Sequence, residues 1–194
     1  MTNYYTKHAD RLTKQYNQTT FEAVHKSWLH QLPAQPGLAC DIGAGSGRDA
    51  CGLAKLGWQV VAVEPCAALR ERAMLDSHEG IEWLDDRLPE ISGLITQGQR
   101  FNLILISAVW MHLPLLDRER SFAVVSKLLA PGGLLVISLR QGPDDGRGFF
   151  EVSAGEQQVR TFGLQPCGYD QRGDDFGRAG VSWETCVYRC QAVG

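Results

Sequence analysis

Three glycines at alternate positions, Gly43, Gly45 and Gly47, follow directly on the apolar run Leu38–Ile42 and lead into an amphipathic stretch. Glycine suits such a turn because the chain must bend sharply and let a ligand approach with no Cβ in the way. The helix N-terminus beyond it offers unpaired amide N–H groups to polar or anionic ligand atoms. The pattern is GxGxG, and Arg48 stands where a GxGxxG dinucleotide fingerprint has its last glycine. No Lys-Ser or Lys-Thr follows, so the turn is not a phosphate-cradling P-loop. Asp41, just before the first glycine, is badly placed against a pyrophosphate and well placed to meet an ammonium group. Glu64 ends the next apolar run, VVAVEP, where a carboxylate can accept hydrogen bonds from both hydroxyls of an adenosine ribose.

Other side chains could meet a second ligand. His112, in MHLP after the run FNLILIS, is the one candidate general base; its plainer role is a loop hydrogen bond or packing. Arg140 ends the fifth apolar run and Arg147 follows in a Gly-rich loop, at the end of the sheet where α/β ligands bind. Planar guanidinium groups match carboxylate or phosphate, unless Asp144, Asp145 or Glu151 takes them first.

Short β-rich runs alternating with helical patterns must position these groups. Leu38–Ile42, Gln59–Val63, Ile81–Leu84, Phe101–Ser107 and Leu134–Leu139 read as five strands of a parallel sheet covered on both faces. Between them, Ala50, Leu53, Ala54 and Gly57 keep helical spacing, as do Leu69 with Ala73, and Ile91 with Leu94 and Ile95. Phe122, Val125, Leu128 and Leu129 mark a further helix, stopped by Pro131-Gly132-Gly133. Phe21, Val24 and Trp28 form one more amphipathic face ahead of the sheet. After the loop Gln141–Phe150, Ser153 and Glu156 have capping-box spacing ahead of Val159 and Phe162. Two β-like runs, Leu164–Tyr169 and Val181–Arg189, close the chain, which reads as one domain.

The net charge of −3 argues against a large nucleic-acid surface, though not against a local basic cleft, and no segment interleaves basic and aromatic residues. No apolar run is long enough to cross a bilayer, and the polar N-terminus lacks the apolar stretch of a signal peptide. The six cysteines form no CxxC pair and no metal-like cluster. Together these features imply a cytoplasmic protein that binds neither metal nor membrane. Its oligomeric state is not legible in the sequence.

DIGAGSG, AVEP, the pair Asp85-Asp86, the run ILISAVWMHL and the block LLAPGGLLVIS occur in that order over roughly residues 38–140. In this arrangement the chain resembles the class I S-adenosylmethionine-dependent methyltransferases. The resemblance implies a Rossmann-like, three-layer α/β fold: a seven-stranded, mostly parallel sheet with an antiparallel last strand. It implies a lid segment over 1–33, a donor-binding core over 34–140, and a loop, helix and closing hairpin over 141–194. By the same resemblance, Asp41 and the backbone of Gly43, Ala44 and Gly45 hold the methionine portion of the donor, and Glu64 with Pro65 the ribose. Asp85 or Asp86 accepts from the adenine amino group while Leu88 borders the ring. Ser107, Ala108 and Val109 line the sulfonium side. Tyr4, Tyr5 and Tyr16 belong to the lid, or else only to an amphipathic helix. From its place after the fourth strand, Trp110 either walls the acceptor site or packs as a buried tryptophan.

The implied reaction is in-line methyl transfer, which mainly requires alignment and exclusion of water, so a catalytic dyad is optional. The expected acceptor is a small molecule. SAVWMH replaces the Asn/Asp-Pro-Pro-aromatic signature of amino-methylating DNA enzymes. A nicotinamide-dependent oxidoreductase lacks support, because the third fingerprint glycine and a catalytic domain are missing. A donor-binding module without turnover is the other alternative.

Overall fold

A computed structural model of the chain describes residues 2–152 and 162–191. The proposed capping box at Ser153 and Glu156 lies outside the described residues.

The five apolar runs form β1 (Leu38–Ile42), β2 (Gln59–Val63), β3 (Ile81–Leu84), β4 (Phe101–Ser107) and β5 (Leu129–Gln141). They join β6 (Leu164–Gly173) and β7 (Ser182–Cys190) in one sheet of order β3-β2-β1-β4-β5-β7-β6. Strands β1 to β5 pair in parallel, and β7 enters between β5 and β6, antiparallel to both. The strand order reverses beside β1 and β4, so the carboxyl ends of these two strands open a crevice, the usual ligand position in such sheets.

Among the described residues, six α-helices cover the sheet: α1 (Thr2–Tyr16), α2 (Phe21–His25), α3 (Arg48–Lys55), α4 (Ala67–Leu75), α5 (Ser92–Thr96) and α6 (Leu115–Leu128). Because side chains alternate along a strand, each inner strand feeds two cores. Cys40, Ile42, Ile104, Ile106, Leu135 and Ile137 meet Leu94 of α5 and Phe122 and Val125 of α6 on one face. Ala39, Leu103, Leu105, Leu134 and Val136 meet Ala50, Leu53 and Ala54 of α3 on the other, with Phe21 and Trp28. A third, smaller cluster joins Ala9 and Leu12 of α1 to Leu69 of α4.

Three details differ from the sequence expectation. Strand β5 begins at Leu129, directly after α6, instead of at Leu134. Leu129 already pairs with Phe101, and Pro131-Gly132-Gly133 forms an irregularity inside the pairing. Gly133 is required there, since a Cβ would lie 2.8 Å from the Phe101 carbonyl oxygen. Strand β6 runs on to Gly173, past Tyr169, along a solvent-facing edge whose polar residues hide its length from an apolar pattern. Helix α2 stops at His25, yet Trp28 still packs beside Phe21, 1% exposed. No helix among the described residues is long and apolar enough to cross a membrane.

Candidate active site

A cavity of about 600 Å³ opens at the carboxyl ends of β1, β2, β4 and β5, roofed by α1 and by the β6–β7 connection. The glycine turn forms its floor. Gly43, Gly45 and Gly47 all take left-handed φ, at 80°, 55° and 78°, a region L-residues with side chains seldom adopt. The amides of Gly43 and Ala44 donate to the Val63 carbonyl at 2.7 and 3.0 Å, which ties the turn to the end of β2. A Cβ on Gly43 would fall 2.2 Å from Cγ2 of Val109, across the cavity floor.

Glu64 is 6% exposed and joins two loops at once. Its Oε2 accepts the Gly45 N–H and its Oε1 the Cys66 N–H, both at 2.8 Å. Burial raises the carboxyl pKa, and these two amides hold it back. Pro65 also lines the cavity. Asp41 sits behind the turn, 1% exposed, and is not among the residues lining the cavity. Its Oδ2 has no hydrogen-bond partner, and burial followed by the Asp49 charge raises its pKa well above the usual carboxylate range.

The two aspartates after β3 part company. Asp85 points outward, its side chain 64% exposed and paired with Arg70 at 3.0 Å. Asp86 lines the cavity with Leu88, and its carboxylate accepts the N–H groups of Arg87, Gly93 and Leu94 at 2.8–3.2 Å. Asp86 thus also fixes the start of α5.

At the end of β4, Ser107, Ala108 and Val109 line the cavity. Ala108 has φ 59°, an uncommon conformation for a non-glycine residue, and its N–H donates to Ser138 Oγ at 2.9 Å. Trp110 does not reach the cavity: it is 1% exposed and packs edge-on against Phe122 with ring centroids 6.1 Å apart. His112 does line it, with Nε2 2.8 Å from the Tyr5 hydroxyl. Burial, and then the Arg147 charge, lowers the His112 pKa to about 4, so the ring is neutral near pH 7. Burial raises the Tyr5 and Tyr16 pKa values, so both phenols keep their protons. Tyr5 and Tyr16 line the cavity, whereas Tyr4 does not.

Arg140 lines the cavity at 5% exposure and donates through Nη1 to the Pro143 carbonyl at 2.9 Å. Arg147 pairs with Asp145.

Several site residues carried no sequence signal strong enough to name them. Arg48 reaches the end of α1 and donates to Tyr16 O at 3.3 Å, Thr19 Oγ1 at 3.1 Å and Asp49 at 2.7 Å. Asp174, Phe176 and Arg178 reach the cavity from the β6–β7 connection, and Trp183 from the start of β7. Asp174 and Arg178 have the i, i+4 spacing of an ion pair, the one cue that could have marked them. No His, Cys, Asp and Glu cluster among the described residues could hold a metal ion.

In both sequence and structure the chain is similar to known methyltransferases. In sequence, the chain is 32% identical over 98 residues to the ubiquinone biosynthesis O-methyltransferase of Chelativorans sp. (strain BNC1). That match covers 50% of this chain and 38% of the relative, so the chain matches well under half of the relative's length. In structure, it is similar to Burkholderia thailandensis 1,6-didemethyltoxoflavin-N1-methyltransferase, solved with 1,6-didemethyltoxoflavin and S-adenosylhomocysteine. The TM-score is 0.76 at 19% identity, over 98% of this chain and 87% of that one. The N-methyltransferase NodS from Bradyrhizobium japonicum WM9, in complex with S-adenosylhomocysteine, gives 0.69 at 16% identity, over 95% and 97%. At such identities these two likenesses show the fold. A family model described as "Methyltransferase domain" matches residues 40–137, from β1 into β5, and the chain belongs to that family.

Proposed function

We propose that this protein is an S-adenosylmethionine-dependent methyltransferase acting on a small-molecule acceptor in the cytoplasm, as a single domain whose first 33 residues form a lid. The observation that carries the proposal is the pairing of the left-handed glycine turn with the buried Glu64 carboxylate at one wall of the cavity. The fit to the donor rests on that geometry. A side chain at Gly43 would occupy the floor, and a carboxylate at Glu64 has lone pairs left for ribose hydroxyls. When bound, S-adenosylmethionine supplies an activated methyl group that leaves its sulfur by in-line displacement.

The chain's own residues do the rest. The amides of Gly43–Gly45 and the end of β4 at Ser107–Val109 border the methionine and sulfonium side. Glu64 and Pro65 border the ribose, and Asp86 with Leu88 the adenine. Asp41 supports the turn from behind and does not reach into the cavity. Tyr5, Tyr16 and Thr19 close over the donor and exclude water, as alignment without solvent requires. His112, with a pKa of about 4, is a weak proton acceptor at neutral pH. The reacting atom is therefore one that is nucleophilic without a strong base, such as an amine or an already ionised group.

Calorimetric titration tests the donor assignment: S-adenosylhomocysteine should bind with micromolar-scale affinity and NAD should not. Heat with NAD and none with either adenosyl ligand would overturn it. Turnover against a panel of small acceptors then separates an enzyme from a donor-binding module.

A further inference from the structure

On the acceptor side of the cavity, four arginines converge from four segments: Arg140 of β5, Arg147 of the following loop, Arg172 of β6 and Arg178 of the β6–β7 connection. Three of them are neutralised one to one. Arg147 pairs with Asp145, Arg172 with Asp175, and Arg178 with Asp174. Arg140 has no carboxylate partner among the described residues, although its residue surface is only 5% exposed. Its Nε is buried without a hydrogen-bond acceptor, and its Nη1 bonds only to the neutral carbonyls of Gly142 and Pro143. Asp145 and Asp174 act on it only through space and neither pairs with it; a buried, permanent positive charge without a paired carboxylate is costly, and the same charge is an asset once an anion arrives.

Phe149 explains how Arg140 is held there. Its ring carries the Arg140 guanidinium at 4.9 Å and the Arg147 guanidinium at 4.6 Å from the centroid. The His112 ring meets it edge-on at 4.9 Å. The loop bearing Phe149 is itself built: the Asp144 carboxylate accepts the N–H groups of Arg147, Gly148 and Phe149, and the Phe150 N–H donates to Met111 O at 2.8 Å. Arg147, which can only donate, stands beside the Tyr5 oxygen, so the Tyr5 proton is directed to His112 Nε2. The neutral His112 ring then carries its own proton on Nδ1, a buried atom that likewise has no partner. Two unpartnered donors, Arg140 Nε–H and His112 Nδ1–H, thus flank one aromatic post.

We infer that the acceptor carries an anionic oxygen group, seated on Arg140 with help from the His112 Nδ1–H, and that Phe149 is the positioning residue that presents both. The inference rests on the methyltransferase reading and names the class of its acceptor: a small, largely apolar molecule with one carboxylate-like handle. Met111, Leu113, Val109 and Phe150 supply the apolar wall beside that handle. The handle is held by charge and hydrogen bonds while the reacting atom faces the donor.

The test uses the full chain saturated with S-adenosylhomocysteine, titrated calorimetrically with benzoate, phenyl phosphate and the neutral isostere benzamide. Benzoate should bind at least tenfold more tightly than benzamide. Arg140→Met should erase that preference while S-adenosylhomocysteine affinity stays within a few-fold. Phe149→Leu should weaken benzoate several-fold, and Phe149→Tyr, which keeps the ring face, should restore it; a purely structural role would make leucine adequate. Phenyl phosphate binding in place of benzoate would assign the handle to phosphate within the same anion site. Equal binding of benzoate and benzamide, or no binding of any anion, overturns the inference. Failure of the wild-type chain to bind S-adenosylhomocysteine is a separate result and would overturn the donor assignment instead.

Discussion

The Gly45 amide donates to Glu64 Oε2 at 2.8 Å, so the glycine turn is tied to the buried acid after β2 that we propose meets the donor ribose. The other carboxylate oxygen holds the Cys66 N–H at the head of α4. One side chain therefore ties together two walls of the cavity. Glu64→Gln keeps one acceptor oxygen for these two amides and removes the charge; Glu64→Ala leaves both amides without it. Hydrogen bonds to charged groups are worth roughly 1.5–3 kcal/mol each. The Kd for S-adenosylhomocysteine should rise about tenfold or more in the glutamine variant and further in the alanine variant, with the fold retained by circular dichroism. An unchanged Kd in both would reduce Glu64 to a loop tie with no ligand role.

Gly43 and Gly45 should fail in different ways. At Gly43 an added Cβ meets Val109 Cγ2 at 2.2 Å, and a left-handed alanine costs roughly 1–2 kcal/mol besides. Gly43→Ala should lower the thermal midpoint, and adding Val109→Ala should recover part of it by relieving the clash alone. At Gly45 the nearest atoms to such a Cβ are those of Tyr16 at 3.8 Å, an ordinary contact. Gly45→Ala pays the same left-handed cost without a clash, so it should lose less thermal stability than Gly43→Ala while still weakening donor binding by filling the ligand's approach. Equal thermal losses in the two single variants would contradict this division.

His112 gives the chain a pH signature. Its pKa in the folded state is about 4 against an ordinary 6.5, through burial and then the Arg147 charge; Asp144 and Asp145 oppose the shift. Below pH 6.5 the unfolded chain takes up a proton that the folded chain refuses. The contribution is therefore fully present above pH 6.5 and is lost as the pH falls toward 4. Its limit is on the order of 3 kcal/mol, from a shift of about 2.5 pH units. Urea midpoints measured from pH 7 down to 4.5 should fall more steeply for the wild type than for His112→Gln. Parallel curves would mean that His112 titrates normally.

The strands were readable because each inner one is a short apolar run buried on both faces. The glycine turn and Glu64 stand out because backbone bending and a strand-end acid leave residue types in fixed order. The bulge at Pro131–Gly133 was not readable: it depends on the close approach of Gly133 to the Phe101 carbonyl, which no local pattern encodes. For Trp110 the sequence leaves a site wall and a packing tryptophan equally open, since position alone cannot tell which way a side chain after β4 turns; the fold makes it core. Phe149 and the β6–β7 aspartates gain their meaning only from arginines brought to them by the fold.

Arg48 is the residue whose meaning changed most between sequence and structure. In sequence it marks only the absence of a third fingerprint glycine. In the fold it starts α3, and its guanidinium spans three segments: Nη1 donates to Tyr16 O and Thr19 Oγ1, while Nε and Nη2 grip Asp49 at 2.7 and 3.0 Å. Asp49 also faces His25 Nε2 at 3.1 Å, and Trp28 Nε1 donates to His25 Nδ1, which leaves the imidazole proton on the side toward Asp49. Burial works against the Asp49 charge, yet His25 and Arg48 together hold its carboxyl far below the usual range. Arg48 thus fastens the end of α1, which carries Tyr16 over the cavity, to the glycine turn. Arg48→Ala should speed S-adenosylhomocysteine release and raise its Kd about tenfold, ~1.4 kcal/mol, with little change in association rate. Arg48→Lys should not rescue it, because a single ammonium cannot reproduce the fork across Asp49 and the lid. Stopped-flow fluorescence of ligand release, read beside the thermal midpoint, decides the matter. A lower midpoint with an unchanged release rate would make Arg48 a stabiliser of α3 and not the fastening of the lid.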